Sequence, residues 1–210
     1  GAGLSTKALR LICDRVTGTD ISEQMIQVCQ EEYKNDKAYT FYRAKAEETK
    51  EPVEKYDIVT AAGMVNWVDR DLFLRNMGCV LRDQGILLIY DFWITDKMQG
   101  NDSYTNWYQN EYLKRFPKPP RNETIWKQEE LPDDFQIKNQ ITYELAYDFS
   151  MEQFIDFMMI QSNVNIKLES GAVNEKNARD WLKKSLTPVF ENREKTLYFK
   201  GYNWYIYKLG

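Results

Sequence analysis

A chain of 210 residues with 43% hydrophobic content can bury a real core, and one domain with an elaboration is the economical organisation. A net charge of −4, with acids and bases mixed along the chain, offers no basic footprint for nucleic acid, and no apolar run reaches membrane-spanning length. Histidine is absent, which excludes Ser-His-Asp and Cys-His mechanisms and leaves a metal site only carboxylates to work with.

The elements follow from periodicity and from start and stop residues. Ser5 to Cys13 reads as a helix with Ala8, Leu9 and Ile12 on one face. Val16 to Asp20 is a short strand. Ser22 caps a second helix reaching about Tyr33, with Met25, Ile26, Cys29 and Tyr33 as its apolar stripe. Tyr39 to Ala44 reads as a strand, and Ala44 to Glu48 as a turn into a charged loop. Tyr56 to Ala62 is a buried strand, and Asp69 starts a helix that turns Phe73, Met77, Val80 and Leu81 to the core. Gly85 leads into Ile86-Leu87-Leu88-Ile89-Tyr90, an unbroken apolar run expected of a parallel strand covered on both faces. Strands alternating with helices in this way predict an α/β fold with a mostly parallel sheet.

After Asp91 the rhythm changes. Residues 93 to 149 read as helix fragments and loops, rich in aromatics and carrying Pro117, Pro119, Pro120 and Pro132. Ser150 to Gln153 forms a capping box ahead of an apolar helix, and Asn174 to Leu186 reads as another helix. Thr196 to Leu209 reads as two strands hinged at Lys200-Gly201. The cysteines, Cys13, Cys29 and Cys79, are odd in number and scattered among apolar helix positions, which predicts small buried hydrophobes in a reducing compartment.

The opening residues carry the chemistry. Gly1-Ala2-Gly3 makes a tight turn into a helix, and an acid, Asp20, ends the next strand roughly 20 residues on. Glycines let the backbone approach a ligand, the helix offers free N–H groups, and the acid can accept hydrogen bonds from ribose hydroxyls. The strand that should feed this turn is missing from the sequence as given.

Together these pieces resemble the class I S-adenosylmethionine-dependent methyltransferases, and among them the small-molecule "type 11" group. Gly1-Ala2-Gly3-Leu4-Ser5-Thr6 is similar to the end of that family's glycine motif. Gly18-Thr19-Asp20-Ile21-Ser22, with Met25, resembles its ribose-binding motif, and Ala44-Lys45-Ala46-Glu47 the turn beside the adenine. Tyr56 to Ala62 resembles the fourth strand, which ends under the methionine part of the donor. Val80 to Leu87 resembles the motif preceding the fifth strand. Two positions depart from the pattern: Asn66-Trp67 stands where many relatives carry His-Trp, and Lys45 where many carry an acid.

The resemblance implies a Rossmann-like, mostly parallel seven-stranded sheet, a C-terminal antiparallel hairpin, and a helical, aromatic insert after the fifth strand. It implies a cofactor-binding core over 1–92, an insert and helices over 93–190 acting as a lid, and a hairpin over 191–210. S-adenosyl-L-methionine is the implied cofactor, held by Gly1, Gly3, Ser5, Asp20, Ile21, Met25, Ala46, Glu47, Ala61 and Ala62. Asn66 and Trp67 would meet a small-molecule acceptor, or else pack as an ordinary loop pair. Trp93, Tyr104, Trp107 and Tyr108 would wall the acceptor pocket; the spacing of the last three with Tyr112 equally suits core packing of an inserted helix. No catalytic residue and no metal ligand is assigned. The expected setting is the cytoplasm, with neither nucleic acid nor membrane as partner. Two other readings stand beside this one: an inactive methyltransferase fold that binds a partner, and a nicotinamide-dependent oxidoreductase. The latter would want Gly or Ala where Thr6 stands.

Overall fold

Apolar alternation and capping chemistry place the first elements of the computed structural model, which describes residues 1–48, 55–123 and 125–210. Helix α1 (Leu4–Leu9) starts at Gly3, whose φ of +81° suits a glycine. Strand β1 (Val16–Asp20) leads to Ser22, whose hydroxyl accepts from the Met25 N–H and caps α2 (Glu23–Glu32). Strand β2 (Tyr39–Arg43) follows, then a single 3-10 turn over Ala46–Glu48. The charged loop expected after it lies outside the described residues. Strand β3 (Tyr56–Ala62) and helix α3 (Arg70–Val80), capped by Asp69, match the pattern read from the sequence.

From there the chain departs from that reading. Strand β4 runs from Leu81 to Met98, well beyond the apolar run that ends at Tyr90. Helix α4 (Asp102–Asn106) passes into a π-helical turn (Trp107–Tyr112) and the short α5 (Leu113–Arg115). Strand β5 (Phe135–Phe149) occupies a segment expected to be irregular. Its signal is present in the sequence: Phe135, Ile137, Ile141, Tyr143, Leu145, Tyr147 and Phe149 keep a period of two, though the prolines before it mask the pattern. Helices α6 (Met151–Met159), α7 (Ser162–Glu169) and α8 (Glu175–Phe190) follow.

The expected C-terminal hairpin is a single strand, β6 (Lys195–Lys208). Gly201 does not make a turn. It clears space for the ring of Tyr143, which lies 2.4 Å from where a Cβ would stand.

The chain divides into two units. The first comprises Gly1–Asp91, Glu123–Ile141 and Asn203–Gly210. In it β1 and β2 pair in parallel, with Asp20 opposite Arg43. Strands β3 and β4 also pair in parallel, with Ala62 opposite Tyr90. The strand order continues from β4 to β6 and then β5. Lys208 Nζ donates to the Leu81 carbonyl and the Leu209 N–H to that of Asp134, so these last pairings run antiparallel. The described strands form two sheets, one of two strands and one of four, in place of the expected mostly parallel seven-stranded sheet. Both carry parallel pairs, and the architecture is α/β. Leu81, Leu87 and Ile89 are fully buried, and Phe73, Met77 and Trp126 nearly so.

The second unit comprises Phe92–Asn122 and Thr142–Tyr202. Its core joins Tyr104, Trp107, Tyr112 and Phe116 to Phe154, Met158, Leu182, Phe190 and Phe199. Trp107 Nε1 donates to Ser185 Oγ at 3.0 Å, so this ring keeps a partner for its polar edge. Among the described residues no helix is long and apolar enough to cross a membrane, and the three cysteines are free. The expectation of a buried thiol is met at Cys29 and not at the exposed Cys79.

Candidate cofactor site

The C-terminal ends of parallel strands leave carbonyls and the following loops open to ligands, and α/β folds bind there. In the first unit a cleft of about 1750 Å³ opens between β1 and β3. Gly1 to Thr6, Asp20 and Ile21, Ala44 to Glu47, Thr60 to Ala62, Met64, Trp67 and Val68 line this end of it.

Gly3 is required on two counts. Its φ is positive, and a Cβ would lie 3.2 Å from both Cys29 Sγ and Tyr33 Cε2. Gly1 has nothing within 4 Å of its Cβ position. Beneath it Cys29 is buried and its thiol donates to the Gly1 carbonyl at 3.5 Å. Desolvation raises the pKa of that thiol, so it serves as packing.

Asp20 ends β1 with 24% of its side chain exposed. Partial burial alone would push its carboxyl pKa up. The Gly1 ammonium and the Ser22 and Ile21 N–H groups outweigh burial and hold it below the ordinary carboxylate value. The Ser22 N–H donates to Oδ1 at 2.8 Å, and the Gly1 ammonium bonds Oδ2. Arg43 Nε donates to the Ile21 carbonyl at 2.9 Å, fixing the loop after the strand. The result is an ionised, oriented acceptor at the lip of the cleft.

The turn at Ala46 and Glu47 is anchored to α3. Asn76 Nδ2 donates to the Ala46 carbonyl at 2.7 Å, and Glu47 Oε1 accepts from the Asp69 N–H at 3.2 Å. The Glu47 carboxylate therefore has a structural task at the start of α3. Ala61 is buried beneath the floor, and Ala62 is exposed at the end of β3. Their small side chains leave room above the strand.

Of the residues expected at the cofactor, all but Met25 line the cleft; Met25 sits on the exposed side of α2. Trp67 lines it with a ring 49% exposed, and Asn66 lies beside it in the same loop, half-buried. Sequence reasoning passed over Thr60, Met64 and Val68, which differ from their neighbours in no way a motif would mark. Tyr104, Trp107 and Tyr108 belong to the core of the second unit, with Tyr104 and Trp107 almost wholly enclosed. Their helical spacing expresses packing. Trp93, in that same unit, keeps an exposed ring beside Tyr202.

Residues 1–89 match the family model described as a methyltransferase domain. No curated protein matches the chain. Among solved structures it is similar to a protein named as a type II methyltransferase from Anaeromyxobacter dehalogenans, with 19% identity and a TM-score of 0.69. That likeness covers 100% of this chain and 86% of the other. A methyltransferase by name from Bacillus halodurans shares 17% identity at a TM-score of 0.57, covering 100% and 90% of the two chains. The [4+2]-cyclase SpnF shares 16% identity at 0.53, covering 100% and 72%. At such identities the likeness concerns the fold. Residues 1–89, which match the methyltransferase domain model, hold the glycine turn and Asp20 on which the sequence resemblance rests, and the solved structures share the fold.

Proposed function

We propose that the protein transfers a methyl group from S-adenosyl-L-methionine to a small-molecule acceptor, in the cytoplasm. The observation that carries this reading is the lip of the cleft, where an open glycine turn faces an ionised Asp20. A Cβ at Gly3 would strike Cys29 and Tyr33, so the turn is built to stay close and bare.

The residues fit the donor. Gly1, Gly3 and Ser5 would lie along its amino-acid part, Asp20 and Ile21 would take the ribose hydroxyls, and the backbone at Ala46 and Glu47 would meet the adenine. Ala61 and Ala62 would floor the methionine chain. When bound, the cofactor supplies an electrophilic methyl on a sulfonium. The chain's own part is alignment and exclusion of water. Asn66 can hold a polar acceptor by hydrogen bonds, and the Trp67 ring offers a flat apolar wall. With no histidine, an acceptor that must shed a proton would pass it to a carboxylate, a tyrosine or water, whereas a carboxylate or thiolate acceptor needs no base. The acidic balance of the chain favours a small acceptor over nucleic acid.

Calorimetric titration with S-adenosylhomocysteine, with NADH as control, tests the cofactor half of the proposal. Binding of the former alone supports it; binding of neither by folded protein turns attention to a partner-binding scaffold. The likeness to a cyclase of the same fold gives a third outcome its place: cofactor binding without methyl transfer to any acceptor in a screen with labelled donor.

A further inference from the structure

We propose that Asp91 selects the acceptor: its carboxylate, beside the end of β3, binds a positively charged amine, with the Trp67 ring as the second contact. The inference rests on the methyltransferase reading of the cleft and narrows its acceptor to one chemical class.

The parallel ladder of β3 and β4 closes with Ala62 opposite Tyr90, and the Gly63 N–H donates to the Tyr90 carbonyl at 2.8 Å. Asp91 stands just past that last pair, at the strand ends where α/β folds take their ligands. Its side chain meets Gly63. That residue has a φ of +62°, and a Cβ there would lie 3.3 Å from Asp91 Oδ1. A bare residue at the turn lets the carboxylate close down beside Ala62 and Met64, both of which line the cleft. Asp91 is half-buried, and a charge partly removed from water acts more strongly on a ligand than an exposed one. A carboxylate offers two oxygens with about four acceptor sites, so a protein partner on Asp91 leaves room for a ligand.

The other acids near the strand ends have tasks of their own. Asp20 is held by the Ser22 N–H at the end of β1, and Glu47 accepts from the Asp69 N–H. Asp69 Oδ1 in turn accepts from the Leu72 N–H and caps α3. Asp91 belongs to neither the lip at β1 nor a helix cap.

The loop after Gly63 supplies the second contact. The Trp67 N–H donates to the Met64 carbonyl at 3.0 Å and Val65 is buried, which pins a turn that leaves the Trp67 ring 49% exposed at the cleft. Ammonium groups bind carboxylates through short charge-assisted hydrogen bonds and lie against the faces of tryptophan rings. A carboxylic acid would meet like charge at Asp91, and an alcohol lacks the charge that both contacts reward. Lys45, which lines the same end of the cleft, already pairs with Glu48 at 3.2 Å, so its charge is answered within the chain.

The probes are phenylethylamine and phenylacetate, which share a ring and differ in the sign of their charge. Each is titrated calorimetrically into the protein and into Asp91→Asn, with and without S-adenosylhomocysteine. The protein is expected to bind the amine about tenfold or more tightly than the acid. Asp91→Asn is expected to lose that preference and to keep its affinity for S-adenosylhomocysteine. No binding of the amine, equal affinity for the two probes, or an amine affinity unchanged in folded Asp91→Asn overturns the proposal. Weaker S-adenosylhomocysteine binding in Asp91→Asn gives the carboxylate to the cofactor's own amino group and overturns it as well. Failure of S-adenosylhomocysteine to bind either protein sinks the methyltransferase reading instead, and the two probes still decide Asp91. Should Asp91→Asn not fold, the preference of the unaltered protein between the probes decides.

Discussion

Asp20 combines a strand-end position, partial exposure and a depressed carboxyl pKa. A carboxylate hydrogen-bonded to a ribose is worth about 1.5–3 kcal/mol, or roughly ten- to a hundredfold in affinity. Asp20→Asn is therefore expected to weaken S-adenosylhomocysteine binding by that factor, with circular dichroism unchanged. Unaltered affinity in the folded variant removes Asp20 from the site. The depressed pKa sets the pH dependence. A group whose folded pKa lies below its unfolded value contributes stability above the unfolded pKa, about 3.9 for Asp. That contribution disappears as pH falls through the folded value. Thermal stability and affinity measured from pH 7 downward should thus be flat with respect to Asp20 until below pH 4 or so, then decline. Gly3 admits a backbone test: Gly3→Ala at φ +81° costs about 1–2 kcal/mol in backbone strain alone, visible as a lowered Tm. Asp20 was legible because an acid after Val16-Thr17-Gly18-Thr19 sits at a strand end whatever the strand packs against. The anchoring of Glu47 to Asp69 was not, since it joins residues brought together only by folding.

Among the elements, the helical segment 102–115 separates packing from binding. Trp107 stacks within 6 Å of Tyr104 and Tyr112 and bonds Ser185. Trp107→Ala should cost about 3–5 kcal/mol through the cavity it leaves, and Trp107→Phe only about 1 kcal/mol for the lost hydrogen bond. Denaturant midpoints measure both. Acceptor KM unchanged in Trp107→Phe is expected of a core residue; a large rise would return the ring to the acceptor site. Strand β6 offers a second test. Gly201→Ala places a Cβ against Tyr143 and should cost about 1–3 kcal/mol as the ring is displaced, read from the same midpoints. The alternation from Lys195 to Lys208 is continuous, and the glycine in its middle imitates a hinge when seen in sequence alone. What fills the space above it is decided by β5, more than fifty residues earlier in the chain.

For the molecule as a whole, the first unit holds the candidate cleft and the second holds an aromatic core of its own. The amino-acid sequence by itself determined the α/β class, the caps at Ser22, Asp69, Ser150 and Asn174, and the glycine turn set against Asp20. The caps depend on residues within one turn of one another and the class on the period of each segment, where periodicity and capping chemistry act directly; the glycine turn meets Asp20 across a single helix. Only the tertiary structure decided that β4 runs on to Met98, that β6 is one strand, and that Tyr104 and Trp107 are enclosed. A strand ends where its neighbours stop offering hydrogen bonds, and an apolar face becomes core or pocket according to what covers it; neither partner is written in the local sequence.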